Sequence, residues 1–306
     1  MSINRSRQST KKASPYIALA IALLAVSASA ILIRVAQKEV HSLVIAAYRL
    51  IFSAAILVLP AMMKSREEIQ RFSRKEWMLI ILSGFFLALH FASWISSLAY
   101  TSIASSVVIV TSSPLWVALF SALFLREKIT KPVKLGMVVS IVGAFIVGSP
   151  GMLSVEGVKI IGGASLWGQF LALLGAIFVA GYLLIGRKLR NRISLITYTF
   201  LVYGSAAIFL LVLVLLMGLP LIGYRPQVWG LFMLMAIFPQ LIGHSTYNWA
   251  LKYMSAVVVS IVALGEPIGA TILGFLLLNE SPHVLEIIGG VILLIGIWIA
   301  TRNSST

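Results

Sequence analysis

Glu266 and Arg49 are charged side chains that fall deep inside long apolar stretches of this sequence. A charge at bilayer depth is costly, and it is kept where it faces a protein interior or a water-filled path. A carboxylate so placed can hold a proton or the cationic group of a solute. A guanidinium can neutralise that carboxylate. Arg49 lies several residues from the end of its stretch and Glu266 near the middle of another, so their depths differ by roughly 8 Å at about 1.5 Å per residue. A long Arg side chain crosses much of that gap, which brings an ion pair within reach. Three roles stay open: a pair that only locks two helices, a Glu266 that acts as a proton-linked gate or a contact for a cationic group, or a Glu266 that simply points to a polar crevice.

Hydrogen-bonding side chains gather in two further stretches. His90 is followed by Trp94 and Ser97 on the same face of a helix. His244 opens the polar run His244-Ser245-Thr246-Tyr247-Asn248-Trp249. Such groups are expensive against lipid and must face the protein interior or a membrane interface. Tyr48, Tyr182, Tyr198 and Tyr203 add phenols that reach a pocket or belong to interfacial belts, and Trp77 and Trp229 read as anchors. Pro114 and Pro267 fall mid-stretch, where each should bend or unwind its helix. Thr111, Ser112 and Ser113 stand ready to satisfy the carbonyls freed there. The expected substrate-binding set is Glu266, His90, Trp94, Ser113, Tyr48, Tyr198, Tyr247, His244 and Asn248. The expected coupling set is Glu266, Arg49, Pro114 and Pro267.

These residues need elements to hold them, and composition says which. The chain has 306 residues, 60% hydrophobic and 11% charged, against about 45–50% and 25% in a soluble domain. A soluble enzyme and a disordered chain are both excluded. At about 20 apolar residues per spanning helix, ten stretches emerge: 16–33, 42–63, 77–100, 103–125, 132–149, 165–186, 193–217, 227–250, 256–278 and 283–301. The first has a rival reading as a signal peptide, because basic residues precede it and it contains Ala28-Ser29-Ala30. It is retained as a span, since it runs on without a break and has a counterpart later in the chain.

The net charge of +15 invites a nucleic-acid reading, yet the basic residues sit in short clusters between apolar runs. Of the 24 Lys and Arg, 19 fall on one side of a ten-span arrangement, 4 on the other, and Arg49 within a span. That asymmetry places both termini in the cytoplasm and the chain in the cytoplasmic membrane as a multi-pass protein. The chain has no Cys, which excludes disulfides, thiolate metal sites and Cys nucleophiles.

Residues 98–143 and 251–296 align without gaps at an offset of 153, with ten of 46 positions identical, Pro114/Pro267, Gly136/Gly289 and Gly143/Gly296 among them. Each repeat is five spans long. An odd number inserts the two copies in opposite senses, which is the architecture of secondary transporters that bind solute near the midplane. Position 113, the counterpart of Glu266, is Ser, so the carboxylate breaks the symmetry. The glycines of each pair are seven residues apart and share a helix face, which suits close packing within one chain.

The run Pro114 … Leu125-Arg126-Glu127 … Gly136 … Gly143, repeated as Glu266-Pro267 … Leu278-Asn279-Glu280 … Gly289 … Gly296, resembles the EamA module. Arg49 in Tyr48-Arg49-Leu50 is similar to the Arg that opens the second span of that module. Tandem modules make the ten-span drug/metabolite transporter superfamily. The resemblance implies an all-α membrane protein of ten transmembrane helices in two inverted five-helix repeats. It also implies export or exchange of a small metabolite, often an amino acid. The expected organisation is a basic tail (1–15), a first repeat (16–149), a linker (150–164), a second repeat (165–301) and a short tail (302–306). The expected partners are a small-molecule substrate and the lipid bilayer, not nucleic acid. The chain is expected to be a monomer, with a homodimer as the alternative, and to need no cofactor or metal. Two other functions compete: a lipid-headgroup flippase of the same superfamily, and an intramembrane enzyme using His90, His244 and Glu266. The enzyme lacks support from long loops, Asp residues or metal-ligand spacing.

Overall fold

The computed structural model describes residues 15–101, 103–126, 128–153, 162–278 and 283–302. Glu127 and Glu280 of the repeated motif, most of both tails and residues 154–161 of the linker lie outside them. Ten helical spans cross in succession. The first is α1 (Pro15–Ser27) continued by α2 (Ser29–Ala36), and the second is α3 (Ser42–Lys64). After the short α4 (Arg66–Gln70), the third is α5 (Arg74–Tyr100). The fourth comprises α6 (Ile103–Val110), α7 (Ser113–Phe120) and a π-helical turn, Ser121–Leu125. The fifth to seventh are α8 (Lys131–Leu153), α9 (Gly162–Arg190) and α10 (Leu195–Leu216). The eighth is α11 (Pro226–Met235), a π-helical segment Ala236–His244 and α12 (Ser245–Ala250). The ninth divides into α13 (Ala256–Ala263) and α14 (Glu266–Leu278), and the tenth is α15 (Val284–Thr301). Seven stretches among the described residues are long and apolar enough to cross a bilayer, and Ala256–Ala270 and Ile287–Thr301 are shorter apolar helices. No strand occurs among the described residues.

Local chemistry sets where the helices start. Ser73 and Glu76 form a reciprocal capping box at the head of α5. The side chains of Ser194 and Ser255 accept the orphan amides of Thr197 and Val258 at the starts of α10 and α13. The stretch open to a signal-peptide reading is built into the bundle. Leu19, Ala22 and Val26 are buried, and Ser27 Oγ donates to the Glu266 carbonyl at 3.0 Å.

The packing has an internal two-fold. The fifth span packs on the tenth (α8 on α15), the second on the seventh (α3 on α10), and the fourth on the ninth (α7 on α13). The third span packs on the sixth, α5 on α9, as the eighth packs on the first. At the α8–α15 crossing, a Cβ on Gly136 would lie 2.6 Å from the Gly296 carbonyl oxygen, and one on Gly143 would lie 2.8 Å from that of Gly289. Each glycine meets the counterpart of its own partner, so the two helices run antiparallel and the repeats are inverted. The glycine faces pack within one chain.

The sequence halves are not the spatial halves. The sixth span packs with the third and fourth, and the first packs with the eighth and ninth, so the repeats exchange their first helices. The packing groups the spans into a 3-4-6 bundle and a 1-8-9 bundle, flanked by the paired spans 2 with 7 and 5 with 10.

Loop contacts tie the bundle together at both faces. On the face where most basic residues lie, Glu68 accepts from the Ser194 amide and hydroxyl at 2.6 Å each and from Thr197 Oγ1. Desolvation pushes the Glu68 carboxyl up, but the hydrogen bonds from Ser194 and Thr197 outweigh it and hold the group below its ordinary value. On the opposite face, Arg225 donates to Glu39 from both Nε, at 2.8 Å, and Nη2. This bidentate pair favours the charged carboxylate and lowers the Glu39 pKa.

Candidate functional site

The two prolines decide where the site can form. The fourth span is interrupted at Thr111–Ser112 and the ninth at Leu264–Gly265, positions related by the offset of 153. α7 and α14 restart there with Pro114 and Pro267 in their first turns, where a missing N–H costs nothing. Thr111 Oγ1 turns back to the Val107 carbonyl at 2.8 Å. Each break leaves a half-helix N-terminus, with its positive dipole end, inside the bundle. Ser113 heads one and Glu266 the other.

Between them lies a cavity lined by residues of spans 1, 3, 4, 6, 8 and 9 and by none of the 2–7 or 5–10 pairs. His90, Trp94, Ser113, His244, Tyr247 and Glu266 all face it, with Val26, Val110, Val179 and Leu183 supplying apolar wall. It offers about 60 Å³ of space, well below the ~300 Å³ at the lower end of small-molecule sites. As it stands, the cavity is too small for such a molecule.

His90 Nδ1 meets the Gly175 carbonyl at 2.9 Å. A carbonyl only accepts, so Nδ1 carries the proton and Nε2 is left as an acceptor in the neutral ring. The His90 ring stacks on Trp94 at 5.9 Å and lies 6.3 Å from the His244 ring. His244 in turn meets Tyr247 edge-on at 6.1 Å. Trp94 Nε1 and the Tyr247 hydroxyl are buried without a hydrogen-bond partner, and each residue is only 4% exposed. Buried polar groups are ordinarily satisfied. Two orphans on one cavity wall therefore mark positions for water or a ligand. The Glu266 carboxylate is also unpaired: the ion pairs among the described residues are Arg71–Glu67 and Arg225–Glu39.

The Arg49–Glu266 ion pair, one of the arrangements open in the sequence, is not formed. Arg49 stands one layer behind the cavity, fully buried. Its Nε donates to Gln240 Oε1 and its Nη1 to Ser29 Oγ, both at 2.8 Å, and the guanidinium lies 4.2 Å from the Phe91 ring centroid. Gln240 sits in the π-helical segment after Pro239, and it takes the place at Arg49 that the carboxylate could have filled. Ser29 and Gln240 were missed in the sequence. A π turn behind a proline leaves no periodic signal, although Pro239 marks a place where the helix ladder must yield.

Three other expected binding residues lie off the cavity. Tyr48 stacks on Phe232 at 4.8 Å and donates to the Leu221 carbonyl at 2.5 Å, because the turn that aims Arg49 inward aims its neighbour at α11. The Tyr198 hydroxyl meets Ser83 Oγ at 2.8 Å, deeper towards the basic face. Asn248 donates to the hydroxyls of Tyr182 and Tyr203, one residue beyond Tyr247 and so turned to a different side of α12. Thr111, expected only as a partner for freed carbonyls, also lines the cavity. No cluster of three or more potential metal ligands occurs among the described residues.

A model of the EamA-like transporter family matches residues 13–149 and again residues 166–302. The chain is 24% identical over 293 residues to an uncharacterized transporter of Archaeoglobus fulgidus, covering 94% of this chain and 97% of that one. It is 27% identical over 266 residues to the pseudopaline exporter CntI of Pseudomonas aeruginosa, covering 87% and 89%. A crystal structure superposes with a TM-score of 0.76 at 17% identity, covering 96% of this chain and 98% of that one. That likeness is one of fold alone.

Proposed function

This chain belongs to the EamA-like transporter family, and from that premise we propose that it is a secondary-active carrier of a small amine-bearing metabolite, an amino acid or related solute. It sits in the cytoplasmic membrane with both termini in the cytoplasm and works by alternating access, in the direction of export or exchange. The 3-4-6 and 1-8-9 bundles rock about the cavity while the 2–7 and 5–10 pairs stay fixed. The observation that carries this reading is the unpaired Glu266 carboxylate at a helix break, facing a cavity with an orphan Trp94 N–H and an orphan Tyr247 O–H. Carboxylate and aromatic faces together suit an ammonium group, and the two orphan groups fix the rest of the solute. A bare carboxylate at membrane depth is costly. When the solute leaves, a proton takes its place on Glu266, and exchange of proton for solute follows. The relative named as a pseudopaline exporter supports outward movement of a small solute.

The test is uptake and counterflow in proteoliposomes against a panel of amino acids, nucleosides and organic cations. Glu266→Gln should fold as before but bind the amine-bearing solute more weakly and lose proton-linked flux. Unchanged flux with unchanged pH dependence removes Glu266 from the mechanism. The second reading is a lipid-headgroup flippase. It is favoured by a crevice of about 500 Å³ beside the Thr111–Ser112 break, lined by Ser112, Ile141 and Phe145, with Phe145 57% exposed on the bundle surface. Scrambling of a fluorescent short-chain phospholipid in the same vesicles distinguishes the two.

A further inference from the structure

Towards each face of the membrane, a pair of side chains crosses between the two bundles that enclose the cavity. At the basic face, Arg187 Nη1 donates to the Leu251 carbonyl at 2.7 Å, and Arg190 Nε donates to the Asn248 carbonyl at 3.1 Å. At the opposite face, Arg34 Nη2 donates to the Thr101 carbonyl at 2.9 Å, and Gln37 Nε2 donates to the Ile95 carbonyl at 2.7 Å. The first pair ties the sixth span to the eighth, and the second ties the first span to the third. Both therefore cross between the 3-4-6 and 1-8-9 bundles. The offset of 153 that relates the repeats takes Gln37 to Arg190 and Ile95 to Asn248, so one contact is the two-fold image of the other. Arg34 maps likewise onto Arg187.

Three of the acceptors, Thr101, Asn248 and Leu251, are carbonyls at the ends of α5 and α12, where the last turn has no following amides to satisfy them, and Ile95 lies one turn further into α5. A cation at such an end also meets the negative pole of the helix dipole. The acceptors of Arg34 and Arg187 do not correspond, Thr101 against Leu251, but among the four donors the two crossings differ at one position only. Both donors at the basic face are Arg, and Arg190 is 4% exposed, whereas the opposite face pairs Arg34 with the neutral amide of Gln37. A charge-assisted hydrogen bond is roughly twice as strong as a neutral one.

We propose that these four side chains are the gates of the carrier, and that the Gln37/Arg190 difference sets its resting state: with no solute bound, the mouth at the basic face is held shut and the opposite mouth opens more readily. The proposal rests on the alternating-access reading. It goes beyond it by naming what closes each side and which side yields first.

The chain has no native Cys, so a single Ala263→Cys on the cavity wall reports access without further changes. Labelling by a membrane-impermeant maleimide is measured in sealed vesicles of both orientations, with no solute added. Labelling from the face opposite the basic one should be faster. Arg190→Gln should raise labelling from the basic face about tenfold, the difference between a charged and a neutral hydrogen bond, and Arg190→Lys should restore most of the wild-type ratio. Gln37→Ala must move the ratio the other way, which a variant that merely loosens the fold cannot do. Equal labelling from both faces in the parent, or a ratio unmoved by both variants, overturns the gate assignment and leaves alternating access standing. Labelling from neither face, even with solute present, overturns alternating access itself.

Discussion

At the residue scale, the decisive groups are those whose hydrogen bonds are left unmade. Trp94 and Tyr247 are buried with idle donors, and leaving a buried polar group unsatisfied costs about 1–3 kcal/mol. Trp94→Phe and Tyr247→Phe remove those donors and keep most of the apolar bulk. Each variant should stay as heat-stable in detergent as the parent, or become slightly more so, because an unpaired polar group is gone. Each should also bind solute about tenfold more weakly, one hydrogen bond's worth. Thermal melts with and without solute measure both effects together. Loss of stability without loss of solute response would make the two residues packing groups only. The sequence identified six cavity residues because their types were out of place in apolar spans: Glu266, Ser113 beside its proline, and the His and aromatic groups one helical turn apart. It misplaced Tyr48, Tyr198 and Asn248 for the converse reason. A span that is apolar all round carries little rotational information, so a phenol or amide on it can face any neighbour. Gln240 escaped notice, and so the partner of Arg49 was left open.

At the element scale, spans 4 and 9 were legible as broken helices because proline acts locally, through one lost amide and one clash. The glycine crossing was legible because small residues seven apart keep to one face. What the glycines touch was not legible, since that depends on how two helices 153 residues apart are brought together. The contact is tight enough to predict from. A Cβ at Gly143 would fall 2.4 Å from the backbone nitrogen and 2.7 Å from the Cα of Leu293, atoms that cannot swing aside. Gly143→Val should therefore sharply cut the yield of folded protein and lower the melting temperature of what remains. Gly204 has nothing within 4 Å of its missing Cβ. There, Gly204→Ala should be neutral or stabilising by up to ~1 kcal/mol through helix propensity. Size-exclusion profiles and detergent melts of the two variants compare the sites directly. Equal tolerance at both would show that the α8–α15 crossing is loose.

At the scale of the whole molecule, the sequence repeat and the mechanical unit differ. The repeat was visible as an offset of 153, and the inversion followed from an odd number of spans. The exchange of first helices could not be seen, because it depends on which surfaces meet and not on chain order. It changes what should move. Glu39, in the loop from span 1 to span 2, pairs with Arg225 at the head of span 8, and neither residue lines the cavity. Tyr182 and Asn248 join spans 6 and 8, and so cross between the two bundles. A chain without Cys accepts two engineered thiols cleanly. Bridging positions 39 and 225 with a short bifunctional thiol reagent should leave counterflow near the uncross-linked rate, since the bridge ties the span 1–2 loop to span 8 within the 1-8-9 bundle. Bridging positions 182 and 248 should stop counterflow, and cleaving a reducible version of the reagent should restore it. The uncross-linked cysteine variants give the baseline that separates the effect of the bridge from that of the lost side chains. Block by the 39–225 bridge would mean that the span 1–2 loop and span 8 part during transport, and the moving units would then have to be redrawn.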